Sequence, residues 1–398
     1  MRCILHIGTE KTATTLIQKW LYENYDNLSE QGVALTKECG YPNNRKLVSY
    51  FQDGVDDYLK SKGVQDSVDK DSYFGNFEER LSDEISKLKK RHSTLIISSE
   101  HFHSRLRSVE QIERLKKLLD RFFDDYKVVC YFREQSKVRT SLYSTTVKVN
   151  NEVGILDFQN DITTHSHYYN YFSFFKKWER VFGKDALIPR LFVKDKMLDG
   201  DIRKDIMHSS LPTVDTSKLN FETVMANESL SADEADVFTS INAARDVFSG
   251  PFSDPTPNLL KSVVRKLDFL DHETGISDPR QVEMYEQFND VNVDFFSEYF
   301  GEKRNLFPKP SNIEVERSRE TSFSVSDISQ VFSRILSIDK LVVLGASEVD
   351  LLRDLAERLY SEGAISKEEA LVLLSLAVRA RPKGGKIIAK INEIRKLS

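Results

Sequence analysis

Three groups of residues in this chain have the means to do chemistry. The first is the run Gly8-Thr9-Glu10-Lys11-Thr12-Ala13-Thr14-Thr15, in which one glycine, one lysine and several hydroxyls crowd together. An ammonium among hydroxyls suits an anion, and phosphate or sulfate is the fitting ligand. The second is Glu100-His101, a carboxylate beside an imidazole, either of which can take a proton from a hydroxyl. The third is Arg133 with Ser141 eight positions on. A guanidinium forks onto a phosphate with two N–H bonds, and a hydroxyl completes the cradle.

Each group needs an element to hold it. Cys3-Ile4-Leu5-His6-Ile7 is short, apolar and β-prone, and Leu16, Ile17, Trp20 and Leu21 recur at helical spacing. Lys11 therefore sits in a strand-to-helix turn, where free backbone N–H groups meet the positive end of a helix dipole. The Walker A pattern is not met, because Gly8 stands only three residues before Lys11. Thr94-Leu95-Ile96-Ile97-Ser98 is a second buried strand that ends at Glu100, and Tyr126 to Phe132 is a third that ends in Arg133. Continuous apolar runs of this kind read as parallel strands covered on both faces, with ligand chemistry at their carboxyl ends. Gly32 to Leu35 reads as a short edge strand, and Ala186 to Phe192, with Pro189 inside it, as an edge strand or a strand start. Helical patterns run from Val109 to Phe123 and through the aromatic stretch Tyr168 to Phe182, which reads as core.

Composition narrows the function. The chain has 398 residues, 40% of them hydrophobic and 30% charged, an ordinary globular mixture. A net charge of -5 argues against a general nucleic-acid binder. Cys3, Cys39 and Cys130 make neither a disulfide framework nor a metal-ligand spacing. No apolar run approaches a membrane span, and the lysine turn lies so near Met1 that a cytoplasmic enzyme is the expectation.

The run His6-Ile7-Gly8-Thr9-Glu10-Lys11-Thr12-Ala13-Thr14-Thr15 resembles the 5′-phosphosulfate loop of the sulfotransferases. These enzymes transfer a sulfuryl group from 3′-phosphoadenosine 5′-phosphosulfate, PAPS. Their loop runs Lys-[Ser/Thr]-Gly-Thr-[Thr/Ser] after a first strand. Lys11, Thr12, Thr14 and Thr15 match it; Ala13 departs from it and requires a negative φ at that place. Further matches follow in order. Glu100 falls where cytosolic members carry a catalytic His, and polysaccharide and tyrosine sulfotransferases use a Glu there. Arg133 and Ser141 have the spacing of the family's 3′-phosphate pair. Asn227-Glu228-Ser229-Leu230-Ser231 resembles a further family segment, with Asn227 and Ser229 within the nucleotide's reach. Leu16 stands where the family often has an aromatic residue against adenine.

The resemblance implies an α/β fold for residues 1–308: a three-layer α/β/α domain with a central parallel sheet and a P-loop-like phosphate site. It implies in-line transfer from PAPS to an acceptor hydroxyl of a carbohydrate or polysaccharide. Glu100, Lys11 and His101 would be catalytic. Gly8, Lys11, Thr12, Ala13, Thr14, Thr15, Arg133 and Ser141 would hold PAPS, with no metal. An insertion at about 40–91 is expected over the acceptor cleft. Residues 309–398 read as a polar linker and a C-terminal helical region, with helices over Asp327 to Leu336, Val349 to Glu362, Lys367 to Arg379 and Gly385 to Leu397. The last helix is basic, through Lys386, Lys390, Arg395 and Lys396, and offers a peripheral contact. Two other readings stay open: an ATP-dependent P-loop kinase or NTPase, which needs a Mg²⁺-ligand acid after a second strand, and a nucleotide-binding member of the fold without activity.

Overall fold

The structure is a computed structural model that describes residues 1–149, 151–223, 229–244, 264, 267, 270–311, 346–361, 365–381 and 384–396. Asn227, the loop expected at Gly250 to Pro257, the helix expected at Asp327 to Leu336 and linker residues 312–324 lie outside the described residues. Backbone contacts divide the chain into two units. The first takes in Met1–Leu142, Gln159–Glu228 and Arg280–Asn312; the second takes in Tyr143–Phe158, Ser229–Pro279 and Ile313–Ser398.

The first unit is α/β with a central parallel sheet. Strands β1 (Arg2–His6), β2 (Val33–Leu35), β3 (Thr94–Ser98), β4 (Asp125–Phe132) and β5 (Leu187–Leu191) lie in the order β2-β3-β1-β4-β5. Every pairing is parallel. β1 is central: Arg2 to His6 pair with Thr94 to Ser98 on one side and with Asp125 to Val129 on the other. β2 and β5 are the edges, and the edge position is what tolerates Pro189, which has a ladder neighbour, Cys130, on one side only.

Alternation along the strands fills both faces. Cys3, Leu5, Leu95, Ile97, Val128, Cys130 and Phe132 join one cluster with Ile112, Leu115, Phe174, Phe175 and Trp178. Ile4, Ile96, Val129 and Tyr131 join another with Ile17, Trp20, Ile202 and Ile206. The helix Val109–Leu119 is opened by a capping box of Ser108 and Gln111, and the aromatic helix Tyr171–Phe182 by the side chain of Asn170. Tyr171, Phe174, Phe175 and Trp178 are all buried, so the aromatic stretch is core. Residues 40–91 form four helices, Arg45–Phe51, Asp57–Lys60, Ser67–Phe74 and Phe77–Leu88, whose Leu47, Phe51, Phe77 and Leu81 enter the first cluster.

The connection leaving β1 runs toward β2 and the one leaving β4 runs toward β5. Neighbouring strands whose connections diverge leave a crevice beyond their carboxyl ends. Lys11 and Arg133 lie at that crevice.

In the second unit, Ser231 and Glu234 form a reciprocal cap at the start of the helix Ala232–Ala244, with bonds of 2.9 and 3.2 Å. The helices Ala346–Ser361, Lys367–Ala380 and Gly385–Lys396 bury Val349, Ala356, Ala370, Leu374, Ala377, Ile387 and Ile394 together. Two basic residues of this bundle have acidic neighbours: Lys390 pairs with Glu357 and Glu393, and Arg381 with Asp350. Among the described residues no helix is long and apolar enough to cross a membrane.

Candidate functional site

The backbone of β1 does not part from β4 where the strand ends. Ile7 N donates to Val129 O (2.9 Å), Tyr131 N to Gly8 O (2.7 Å) and Thr9 N to Tyr131 O (2.8 Å). Gly8 has φ 104 and sits against Glu100, two residues beyond the end of β3. A Cβ there would meet the Glu10 nitrogen and the Glu100 Cα at 3.3 Å each, so both conformation and space call for glycine. Thr9 and Thr12 turn inward. Thr9 Oγ1 donates to Tyr131 O (3.0 Å) and Thr12 Oγ1 to Thr9 O (2.6 Å). These two hydroxyls hold the turn; Thr15 is exposed.

Lys11 has φ 65 and Ala13 has φ 57 and ψ 29, both left-handed. The negative φ expected of Ala13 is therefore not what the backbone adopts. The reason is local: Ala13 is the residue before the helix α1 (Thr14–Glu23), and its carbonyl accepts from Leu16 N (3.0 Å) and Ile17 N (3.2 Å). No side chain caps α1 and its first turn has no acidic residue. Burial pulls the Lys11 ammonium below its ordinary value, with Glu10 and Glu100 acting against that and Arg133 adding to it.

Arg133 Nη1 donates to the Lys11 carbonyl at 2.9 Å, and the guanidinium lies 5.6 Å from the Phe192 ring centre. Burial lowers its pKa. Glu134 does not simply neutralise it. The Glu134 carboxylate accepts from Ser136 N (2.9 Å), Ser136 Oγ (2.5 Å) and Lys137 N (3.0 Å), and so caps the helix Gln135–Val147. Ser141 lies half-buried on that same helix.

Glu100 occupies the N-cap position of the helix His101–Arg105, yet its side chain does not cap it. Instead Oε2 accepts from Gln18 Nε2 at 2.6 Å, and Oε1 stands 3.8 Å from His101 Nε2. His101 Nδ1 in turn stands 3.7 Å from Glu10 Oε1. Lys11, Arg133, Glu100 and His101 thus come to the carboxyl ends of β1, β4 and β3, as the strand ends in the sequence require.

Several participants are not marked by the sequence pattern. Gln18 is buried on the apolar face of α1, where a polar residue needs a partner. Glu10 accepts from the Tyr168 hydroxyl at 2.8 Å. Burial would raise its pKa, but His101, Ser104 and His103 around the carboxylate outweigh that and hold it at about 2. His103 is buried against Tyr168 and Phe174, with ring centres 4.6 and 4.7 Å away, and burial pushes its pKa down to about 3. Among the described residues no group of His, Cys, Asp and Glu has the arrangement of a metal site.

A protein of Archaeoglobus fulgidus described as an uncharacterized protein is similar to this chain, 25% identical over 232 residues, which is 57% of this chain. The match takes in 59% of the archaeal protein's own length. No family model matches the chain, and no solved structure matches it.

Proposed function

We propose that the protein is a PAPS-dependent sulfotransferase whose first unit is a three-layer α/β/α domain with a P-loop-like phosphate site. The observation that carries this reading is the Lys11 turn held between Arg133 and Glu100 at three neighbouring strand ends. Left-handed φ at Lys11 and Ala13 on either side of Thr12 is the alternation that turns successive N–H groups into an anion-binding concavity. The uncapped end of α1 adds its dipole, and Lys11 adds a full charge. A 5′-phosphosulfate fits there, and Arg133 with Ser141 is assigned the 3′-phosphate.

In the reaction the acceptor oxygen forms a bond to sulfur as the bond from sulfur to the 5′-phosphate oxygen breaks. Lys11 stabilises the charge left on that oxygen. Glu100 takes the acceptor proton, oriented by Gln18, and the products are a sulfate ester and PAP. His101, between Glu100 and Glu10, is the alternative base. The acceptor is assigned as a carbohydrate hydroxyl. A thermal-shift comparison tests the reading. PAP without divalent metal is expected to stabilise the protein, by roughly 2.7 kcal/mol at a hundred times its Kd. Stabilisation by ATP with Mg²⁺ and none by PAP would identify a kinase or NTPase instead.

A further inference from the structure

Between the helices Arg45–Phe51, Ser67–Phe74 and Val109–Leu119 lies a cavity of about 760 Å³. No residue from the carboxyl ends of β1, β3 or β4 lines it, so it is not part of the site described above. Its volume is that of a small-molecule site. Phe51, Phe74 and Leu118 are buried and give it an apolar floor. The half-buried Tyr50 ring stands edge-on to Phe51 and Phe74, with ring centres 4.9 and 5.0 Å away. Ser67, Asp71 and Lys117 in the lining are exposed, so the cavity opens to solvent.

The charges around this floor do not balance. Four cations line the cavity, Lys70, Arg114, Lys117 and Arg121, against three acids. Two of the acids are engaged. Asp53 accepts from Arg114 Nη2 at 2.7 Å, and Glu78 accepts from Arg121 Nη1 at 2.7 Å and from the Tyr50 hydroxyl at 2.8 Å. That leaves Asp71 opposite two ammonium groups. Lys70 Nζ donates to the Gln52 carbonyl rather than to a carboxylate. Burial lowers the Lys70 pKa and Arg114 adds to that, with Asp53 and Asp71 acting against it. The Lys117 ammonium has neither an ion pair nor a hydrogen bond among the described residues. One positive charge is thus left over beside an aromatic floor.

We infer that this cavity is a second binding site, for a small aromatic monoanion: a body of two or three rings carrying one carboxylate, sulfate or sulfonate. The rings bury against Tyr50, Phe74 and Leu118, where edge contacts with the aromatic faces add to the gain from area. The anionic group lies toward Lys117 and Lys70, whose ammonium charge no carboxylate has taken up. A dianion exceeds the charge on offer and is repelled by Asp71, and a cation meets the surplus directly. The inference does not depend on the sulfotransferase reading.

The test titrates the full chain with two fluorescent probes, each excited in its own band. Anilinonaphthalene sulfonate is a three-ring monoanion, and phenylnaphthylamine is the same body without the sulfonate. Both should bind, because both bury rings. Lys117→Glu should weaken the sulfonate by roughly 5–10-fold, an attraction lost and a repulsion gained at an exposed position, and leave the neutral probe unchanged. Ser67→Trp fills the mouth of the cavity and should weaken both probes by roughly tenfold or more. PAP should displace neither. Both substitutions fall on exposed residues, where the fold tolerates change, and circular dichroism checks that it is kept. Four results would each overturn the inference. They are no binding of the sulfonate to the native protein, equal loss of both probes in Lys117→Glu, full binding in Ser67→Trp, and displacement by PAP, which would put the probes in the strand-end crevice.

Discussion

Glu10 is where pH should act on the fold, and Glu10→Gln is the substitution that shows it. The carboxyl is carried from 4.5 to about 2 although burial opposes ionisation, because His101, Ser104 and His103 favour the charged form more strongly. At about 1.36 kcal/mol per pH unit, the ionised group stabilises the folded state by roughly 3 kcal/mol. Its side chain is 20% exposed, so solvent screening takes only a modest part of this. The folded pKa lies below the unfolded one. The contribution is therefore whole above about pH 4.5 and is lost as pH falls toward 2. Gln can still accept from the Tyr168 hydroxyl, so the substitution removes charge with little change of shape. Urea titrations from about pH 6 to about pH 3, followed by tryptophan fluorescence, measure the effect. The two tryptophans, Trp20 and Trp178, are both buried in the first unit, so the signal reports the unit that holds Glu10. The gap between native protein and variant should be roughly 3 kcal/mol near pH 6 and less than half of that near pH 3. A gap that stays constant across this range would refute the reasoning.

Glu100→Gln should leave PAP binding near normal while sulfuryl transfer, followed with labelled PAPS and a mixed pool of glycans, falls by roughly 10²–10⁴-fold; full activity there and loss in His101→Ala would move the base to His101. Arg133→Ala should weaken PAP by roughly 10–100-fold but adenosine 5′-phosphosulfate, which lacks the 3′-phosphate, much less. Equal losses in calorimetry would mean that Arg133 serves only to hold the Lys11 carbonyl. Ala13→Gly should stabilise the protein by up to about 1 kcal/mol in chemical denaturation, since relief of left-handed strain exceeds the added chain entropy; a clear loss of stability would contradict this.

What the sequence made legible follows from period and from strand ends. Continuous apolar runs at Cys3–Ile7, Thr94–Ser98 and Tyr126–Phe132 read as buried parallel strands, and the residues just beyond them include Lys11, Glu100 and Arg133. Pro189 and the shortness of Val33–Leu35 marked the edges for the same reason: each limits ladder bonding. The left-handed Ala13 was not legible, because a side chain without polar atoms gives no sign that the surrounding bonds hold it there. Nor was Glu10, whose role depends on a partner from a distant segment, Tyr168. The grouping of Tyr143–Phe158 and Ser229–Pro279 with the C-terminal helices likewise arises from contacts that no local pattern announces.

The continuation of the β1–β4 ladder through Gly8 and Thr9 has a consequence for time as well as for shape. A turn bonded to the central strand pair cannot open without breaking part of the sheet. Amide exchange at Thr9 and Tyr131 should therefore be as slow as in the middle of β1, on the scale of global unfolding rather than loop motion. A ligand arriving there meets donors already fixed in place, so its association is set by diffusion and charge, and its residence by how quickly it can leave.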